Sequence, residues 1–129
     1  MSFTFEQATG RLLDTDGNVI AVGYAGGNCG NNPTGKNNPA AQAMPGIGPL
    51  PQGLYTIGAP TNDHPRLGPF AMSLTPAPTN QMFGRSAFFM HGDTTPGGNA
   101  SEGCVIMPRA IRNLVWASGD HSLQVVSGE

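Results

Sequence analysis

Along this chain of 129 residues, 19 glycines and 12 prolines recur every few positions, and that punctuation constrains the fold more than any other feature. So much of these two residues approaches the composition of disordered segments. Here, however, they alternate with short runs of Val, Ile, Leu, Phe and Tyr, which is the pattern of a turn-rich β domain. The length suits one domain with one hydrophobic core, expected to span residues 1–129.

The opening reads as a β meander. "FTFEQ" alternates apolar and polar residues, "ATG" turns the chain, "RLLD" resumes a strand, and "TDGN" carries an Asp-Gly turn signal. "VIAVGY" follows as an apolar, β-branched strand. From 26 to 48 the chain is rich in Gly, Asn and Pro with no sustained period. It reads as a long loop with one short helical turn at "PAAQAM", and a loop of that length is usually functional or mobile. Further strands are expected at Leu54–Ile57, around Phe70–Leu74, in "RSAFFMHG", and in the closing "HSLQVV". The period changes once, in "MPRAIRNLVWASG". Ile111, Leu114 and Val115 stand at i, i+3 and i+4, with Pro108 at the start and Gly119 beyond the end, so a helix is expected over about 108–118. Trp116 at its end is expected in the core.

The net charge of −2 and six scattered basic residues exclude a nucleic-acid footprint, which needs a basic stripe. No apolar run approaches a membrane span, so no membrane insertion is expected. "MSFTFEQATG" lacks the features of a secretory signal, so synthesis in the cytoplasm and export by another route are expected. Two cysteines make no disulfide framework. Cys29 reads as an ordinary loop thiol, unless the loop folds over the site and brings it to Cys104, where the pair can oxidise.

Charged residues are scarce, yet "FFMHGDTTPGGNASEGCVIMPR" (Phe88 to Arg109) gathers His91, Asp93, Glu102, Cys104 and Arg109. A cysteine nucleophile needs a base or cation to form its thiolate, and dipoles to stabilise an oxyanion. Cys104 meets these needs on paper. Gly103 precedes it, the N–H groups of Gly103 and Cys104 can face a carbonyl, and His91 at the end of "AFFM" suits proton transfer near neutral pH. A hairpin-like excursion through "TTPGGNAS" returns one to the other. The competing reading is a buried cysteine and an unrelated strand-end histidine. A zinc site of His91, Asp93 and Cys104 lacks a second His or a CxxC knuckle, so no metal and no cofactor is expected.

These residues resemble the active-site signature of the L,D-transpeptidase (YkuD-like) fold, a His-Gly pair followed by Ser/Thr-x-Gly-Cys. "GPLPQGLYTI" resembles an upstream strand of that fold. With "MFGRSAFFMHGD" and "ASEGCV", the similarity is closest to the L,D-transpeptidase-like effectors of type VI secretion systems, formerly a domain of unknown function, and it runs from Phe3 to Val126. The resemblance implies a mainly β fold, a sandwich or partly open barrel. It implies that Cys104 is the nucleophile and His91 the base, with Gly92, Ser101 and Gly103 shaping the turn and oxyanion site. It also implies attack on peptidoglycan stem tetrapeptides, with release of D-Ala or its exchange for another D-amino acid in the periplasm of a target bacterium. Delivery by type VI machinery and a cognate immunity protein follow from it. Two departures stand out: Glu102 replaces a usual histidine, and Ile106 replaces a usual Arg or Asn.

Arg85 and Arg109 are candidates to grip a substrate carboxylate in fork geometry. Arg109 early in the helix opposes the dipole, which favours a functional or paired role. Asp93 either fixes the His91 tautomer and serves the substrate site, or bonds its own backbone in a turn. Glu102 close to Cys104 would disfavour a thiolate, so it is expected to point away or pair with an arginine. His64 and His121 lie in turn-like segments and are expected to face solvent. The alternatives to this enzyme are a papain-like wall amidase or endopeptidase, whose cysteine usually precedes its histidine, and a non-catalytic wall-binding β module.

Overall fold

The computed structural model describes residues 2–62, 64–65, 67–93, 97–98 and 100–129. Among the described residues nine short strands form: β1 (Phe3–Glu6), β2 (Arg11–Leu13), β3 (Val19–Val22), β4 (Tyr24–Ala25), β5 (Gly53–Thr61), β6 (Ala71–Pro76), β7 (Phe88–His91), β8 (Val105–Ile106), which was not expected from the sequence, and β9 (Ser122–Val126). One α-helix, α1 (Arg109–Ala117), precedes the last strand. Among the described residues these nine strands make one sheet in the order β3-β2-β1-β9-β5-β6-β7-β8-β4. The two end strands are consecutive pieces of one run, so the sheet curls back on itself as a nearly closed barrel. The mainly β class with a single short helix is as expected from the sequence.

Alternation builds the core. Phe3 and Phe5, Tyr55 and Ile57, Phe88 and Met90, and Leu123 and Val125 each occupy every second position of a strand and are buried together. The neighbours between them face outward. β5 runs further than Leu54–Ile57 because its register with β6 shifts between Ile57 and Pro60, and that irregularity accommodates a proline inside a strand.

"VIAVGY" does not form one strand. Gly23 divides it into β3 and β4, and a Cβ at that position would lie 1.8 Å from the Ile106 carbonyl oxygen. The backbone of β8 therefore closes directly on glycine, and the Gly23 N–H donates to Gly10 O at 2.7 Å. The helix also differs in detail. Arg112 and Val115 are its buried residues, while Leu114 is 47% exposed. The inner side of α1 is centred on 111, 112, 115 and 116, because Arg112 turns inward to donate to Met107 O, Pro69 O and Phe70 O. Trp116 packs at the core's margin and stacks on exposed His121 at 4.0 Å.

The 26–48 loop holds three 3-10 turns, at Asn28–Gly30, Pro33–Gly35 and Pro39–Ala41, the last starting the expected "PAAQAM" turn. Buried Gln7 ties its far end to the barrel, donating to Gln42 Oε1 at 3.2 Å and Leu50 O at 2.9 Å. Replacing Gly23 with alanine is expected to lower stability by about 1–3 kcal/mol, since backbone must move to admit the methyl. Urea denaturation reads this, with Val22→Ala as the control. That side chain is 64% exposed, and its loss should change stability by less than about 0.5 kcal/mol.

Candidate active site

His91 ends β7, and the chain leaves the sheet at Gly92 before returning as β8. The two strands pair in parallel, with Met90 opposite Val105 and His91 opposite Ile106. The return is thus a crossover rather than the expected hairpin. Inner positions Phe88, Met90, Val105 and Met107 join the core. Alternation therefore puts Phe89, His91, Cys104 and Ile106 on the outer face. Cys104, one residue before Val105, stands beside Phe89, whose N–H donates to Cys104 Sγ at 3.3 Å. His91 is two positions further along that face. Both line a cleft of about 500 Å³ whose walls include Cys29, His64, Arg85 and Glu102.

The state of His91 follows from its bonding. Its Nδ1 lies 2.9 Å from Gly92 O, and a carbonyl can only accept, so Nδ1 carries the proton and Nε2 is the basic nitrogen. Burial is the main force holding its pKa below the ordinary 6.5, and Arg112 and His64 push in the same direction. The Gly92 bond and Asp93 oppose them. At neutral pH the ring is a neutral base.

Asp93 acts on this ring through its charge. Its carboxylate accepts from the Tyr24 hydroxyl at 2.5 Å and from the Gly98 N–H at 3.0 Å. Tyr24 in turn accepts from the Ala100 N–H at 2.9 Å, and its pKa is raised, chiefly by burial and then by Asp93. Lys36 caps the group, 4.2 Å from the Tyr24 ring centre and 3.1 Å from Gly98 O. Asp93 thereby holds the return from β7 to β8, which corresponds to the turn reading of that residue extended across the chain.

Ser101 shapes the turn before Cys104. Its buried hydroxyl donates to Cys104 O at 2.6 Å and accepts from Gly103 N at 3.0 Å and Gly26 N at 2.8 Å. The expected oxyanion role of the Gly103 N–H is corrected by this bond, because that donor is already committed to Ser101. Gly103 itself is needed for shape: its φ is +144°, and a Cβ would lie 2.6 Å from the Arg85 guanidinium. Gly92 leaves similar room, since a Cβ there would lie 2.8 Å from the Arg112 guanidinium. Cys29 reaches the cleft because its N–H donates to Ser101 O at 3.0 Å, and both cysteines are thiols.

Arg85 is not disposed as a carboxylate grip. Buried, it donates to Gln42 O, Pro49 O, Gly48 O and Glu102 O at 2.7 to 3.1 Å, which uses four of its five N–H donors. Burial pulls this guanidinium below its ordinary range, while negative charge on Tyr55 and on Cys104 works against that pull. The coupling to Cys104 is mutual, so the Arg85 cation favours the thiolate. Glu102 meets this arginine through its backbone carbonyl, and its own side chain is exposed at the cleft.

A family model for the Tlde1 domain matches residues 25–127, from the second residue of β4 to just past β9. The chain belongs to the Tlde1 domain family. This is a family of type VI secretion effectors. The match begins later than the resemblance from Phe3 implies, so β1 to β3 lie wholly outside it although they complete the same sheet. No curated protein and no solved structure matched the chain.

A second cleft of about 380 Å³ is lined by Tyr24, Gly92, Asp93, Ile106, Arg109 and Arg112. Arg109 is exposed there, its guanidinium 4.7 Å from the Phe70 ring centre and its Nε donating to Asn113 at 3.3 Å. His64, expected in solvent, is half-buried and lines the cleft that holds Cys104 and His91. Nothing in "NDHPR" signals this, because the position depends on the loop from β5 to β6 folding over β7. Arg112 was legible only as one more arginine in a helix.

Ser101→Ala strands the Gly26 and Gly103 N–H groups and should cost about 1–3 kcal/mol, read as a lower denaturation midpoint. The depressed pKa of His91 makes a second, signed prediction. Its contribution to stability is complete above about pH 6.5 and is lost as pH falls toward the folded value, because the unfolded chain takes up a proton that the buried ring resists. Denaturation midpoints compared at pH 7.5 and 5.0 should therefore drop further in the wild type than in His91→Asn.

Proposed function

We infer that this domain is a peptidoglycan-targeting cysteine enzyme, acting on stem tetrapeptides as an L,D-carboxypeptidase, an L,D-transpeptidase-type exchanger of the terminal D-residue, or both. The observation that carries the reading is the placement of Cys104 and His91 on one face of adjoining parallel strands in one cleft. Membership of an effector family supports it.

In this scheme the Cys104 thiol gives its proton to His91 Nε2 as sulfur attacks the meso-diaminopimelate carbonyl. Collapse of the tetrahedral intermediate breaks the C–N bond, and the departing D-Ala amine takes the proton from His91. A thioester remains. Water resolves it with His91 again as base, or the amine of a free D-amino acid does so in exchange. The Phe89 N–H and the Arg85 cation favour the attacking thiolate. The low proton affinity of His91 makes its imidazolium a strong acid toward the leaving amine. Exposed Arg109 in the second cleft is the group suited to a substrate carboxylate.

The proposed partners are peptidoglycan stem peptides, D-amino acids, type VI secretion machinery and a cognate immunity protein. The proposed place of action is the periplasm of a target bacterium, where loss of tetrapeptide donors would weaken cross-linking.

Purified tetrapeptide muropeptides followed by mass spectrometry test this. Wild type should release D-Ala or exchange an added D-amino acid, Cys104→Ala should do neither, and His91→Gln should lower kcat by about 10²–10⁴-fold. Intact tetrapeptides after incubation with wild type, with and without D-amino acids, would rule the reading out, and shortened stems would indicate an endopeptidase.

A further inference from the structure

Among the described residues, the cleft that holds Cys104 and His91 has one carboxylate, that of Glu102, and the scheme above does not use it. Arg85 also lines the cleft, but its guanidinium is buried and already gives four N–H donors to carbonyls. Glu102 is arranged the other way round. Its backbone is committed and its side chain is exposed. Within the described chain the carboxylate has no hydrogen bond or ion pair of its own.

The backbone keeps this charge at the site. Glu102 O accepts from Arg85 at 3.1 Å, Gly103 O accepts the Leu50 N–H at 3.0 Å, and Ser101 on the other side is buried. Glu102 stands two residues before Cys104, so two peptide units hold their α-carbons within about 7.6 Å of each other. Much of the remaining wall is apolar, with Pro45, Leu67, Ala87, Phe88 and Phe89. An aliphatic chain ending in an ammonium group matches both parts. Its methylenes suit the apolar wall, and its cation suits the open carboxylate.

We propose that Glu102 is a specificity-determining residue, which selects acyl donors carrying a free ammonium group near the carbonyl that Cys104 attacks. Donors whose amine is acylated are disfavoured. On the peptidoglycan reading, on which this part rests, the group is the side-chain amine of meso-diaminopimelate. The enzyme then takes stems whose amine has not been joined in a cross-link. Glu102 makes and breaks no bond. Its charge works against the Cys104 thiolate and the Arg85 cation works for it, so an acid this close to the thiol is tolerable.

Two measurements on the full chain separate these layers. The first needs no substrate. In a Cys29→Ser background, Cys104 is modified by methanethiosulfonates that transfer a cationic aminoethyl, a neutral methyl or an anionic sulfonatoethyl group. Comparing the rates cancels any change in the thiolate fraction. Glu102→Gln should lower the cation-to-anion rate ratio by about five- to tenfold at low ionic strength, and high salt should shrink the difference. The second measurement follows D-Ala release from tetrapeptide muropeptides with the diaminopimelate amine free or acetylated. Wild type should favour the free amine by about fivefold in kcat/KM, mainly through KM. Glu102→Gln should bring the two substrates within about twofold, and Glu102→Asp should keep the preference.

An unchanged reagent ratio in Glu102→Gln would overturn the proposal, as would equal turnover of free and acetylated stems by wild type. If wild type leaves both muropeptides intact while the reagent ratio falls, the substrate reading fails and Glu102 stands as the cleft's selector for cations.

Discussion

A single buried hydroxyl holds this molecule's reactive turn in place. Ser101 Oγ joins Gly26, Gly103 and Cys104 through three hydrogen bonds, and its carbonyl takes the N–H of Cys29. One side chain therefore fixes both the start of the long loop and the entry to β8. β8 has only two residues, too few to set its own register by side-chain pattern. Its alignment beside β7 depends on how the chain arrives, and the chain arrives through this turn. Cys104 stands one residue inside that arrangement, so the position of its thiol and the closure of the barrel share a cause.

Around the turn the few charges are spent on backbone rather than on one another. Arg85 binds four carbonyls of the 42–49 loop and the 101–104 turn, while Arg112 binds three around β8 and the segment before β6. A guanidinium suits this work because it is planar, always charged and weakly hydrated, so burial with enough acceptors is tolerable. The two cations also divide the site electrostatically. Arg85 favours a thiolate at Cys104, and Arg112 disfavours a proton on His91. Both effects leave the proton shared between this thiol and imidazole weakly held.

Much of this was readable in the chain. "FTFEQ", "FAMSL" and "HSLQVV" carry the period of two in their own residues, and the helix carries both of its end signals, so strands and helix could be placed. The His-Gly and Ser-x-Gly-Cys elements marked His91 and Cys104, and both residues lie in one cleft. Roles that depend on a partner distant in sequence were not readable. Asp93 meets Tyr24 from 69 positions away, and Arg85 meets Gly48 from 37. Leu114 fits the helical period yet faces outward, because Arg112 takes the inner place to satisfy carbonyls that belong to other segments. His64 sits in a segment with no periodicity at all.

The sequence by itself determined the class of fold and marked Cys104 and His91 as the candidate pair, since alternation, turn residues and short motifs are local properties of the chain. Tertiary structure decided what surrounds them: the parallel rather than hairpin return, the commitment of the Gly103 N–H, the burial of two arginines, and the arrival of a second histidine. Those outcomes depend on which backbone groups remain unsatisfied once distant strands have paired, and no window of sequence contains that sum.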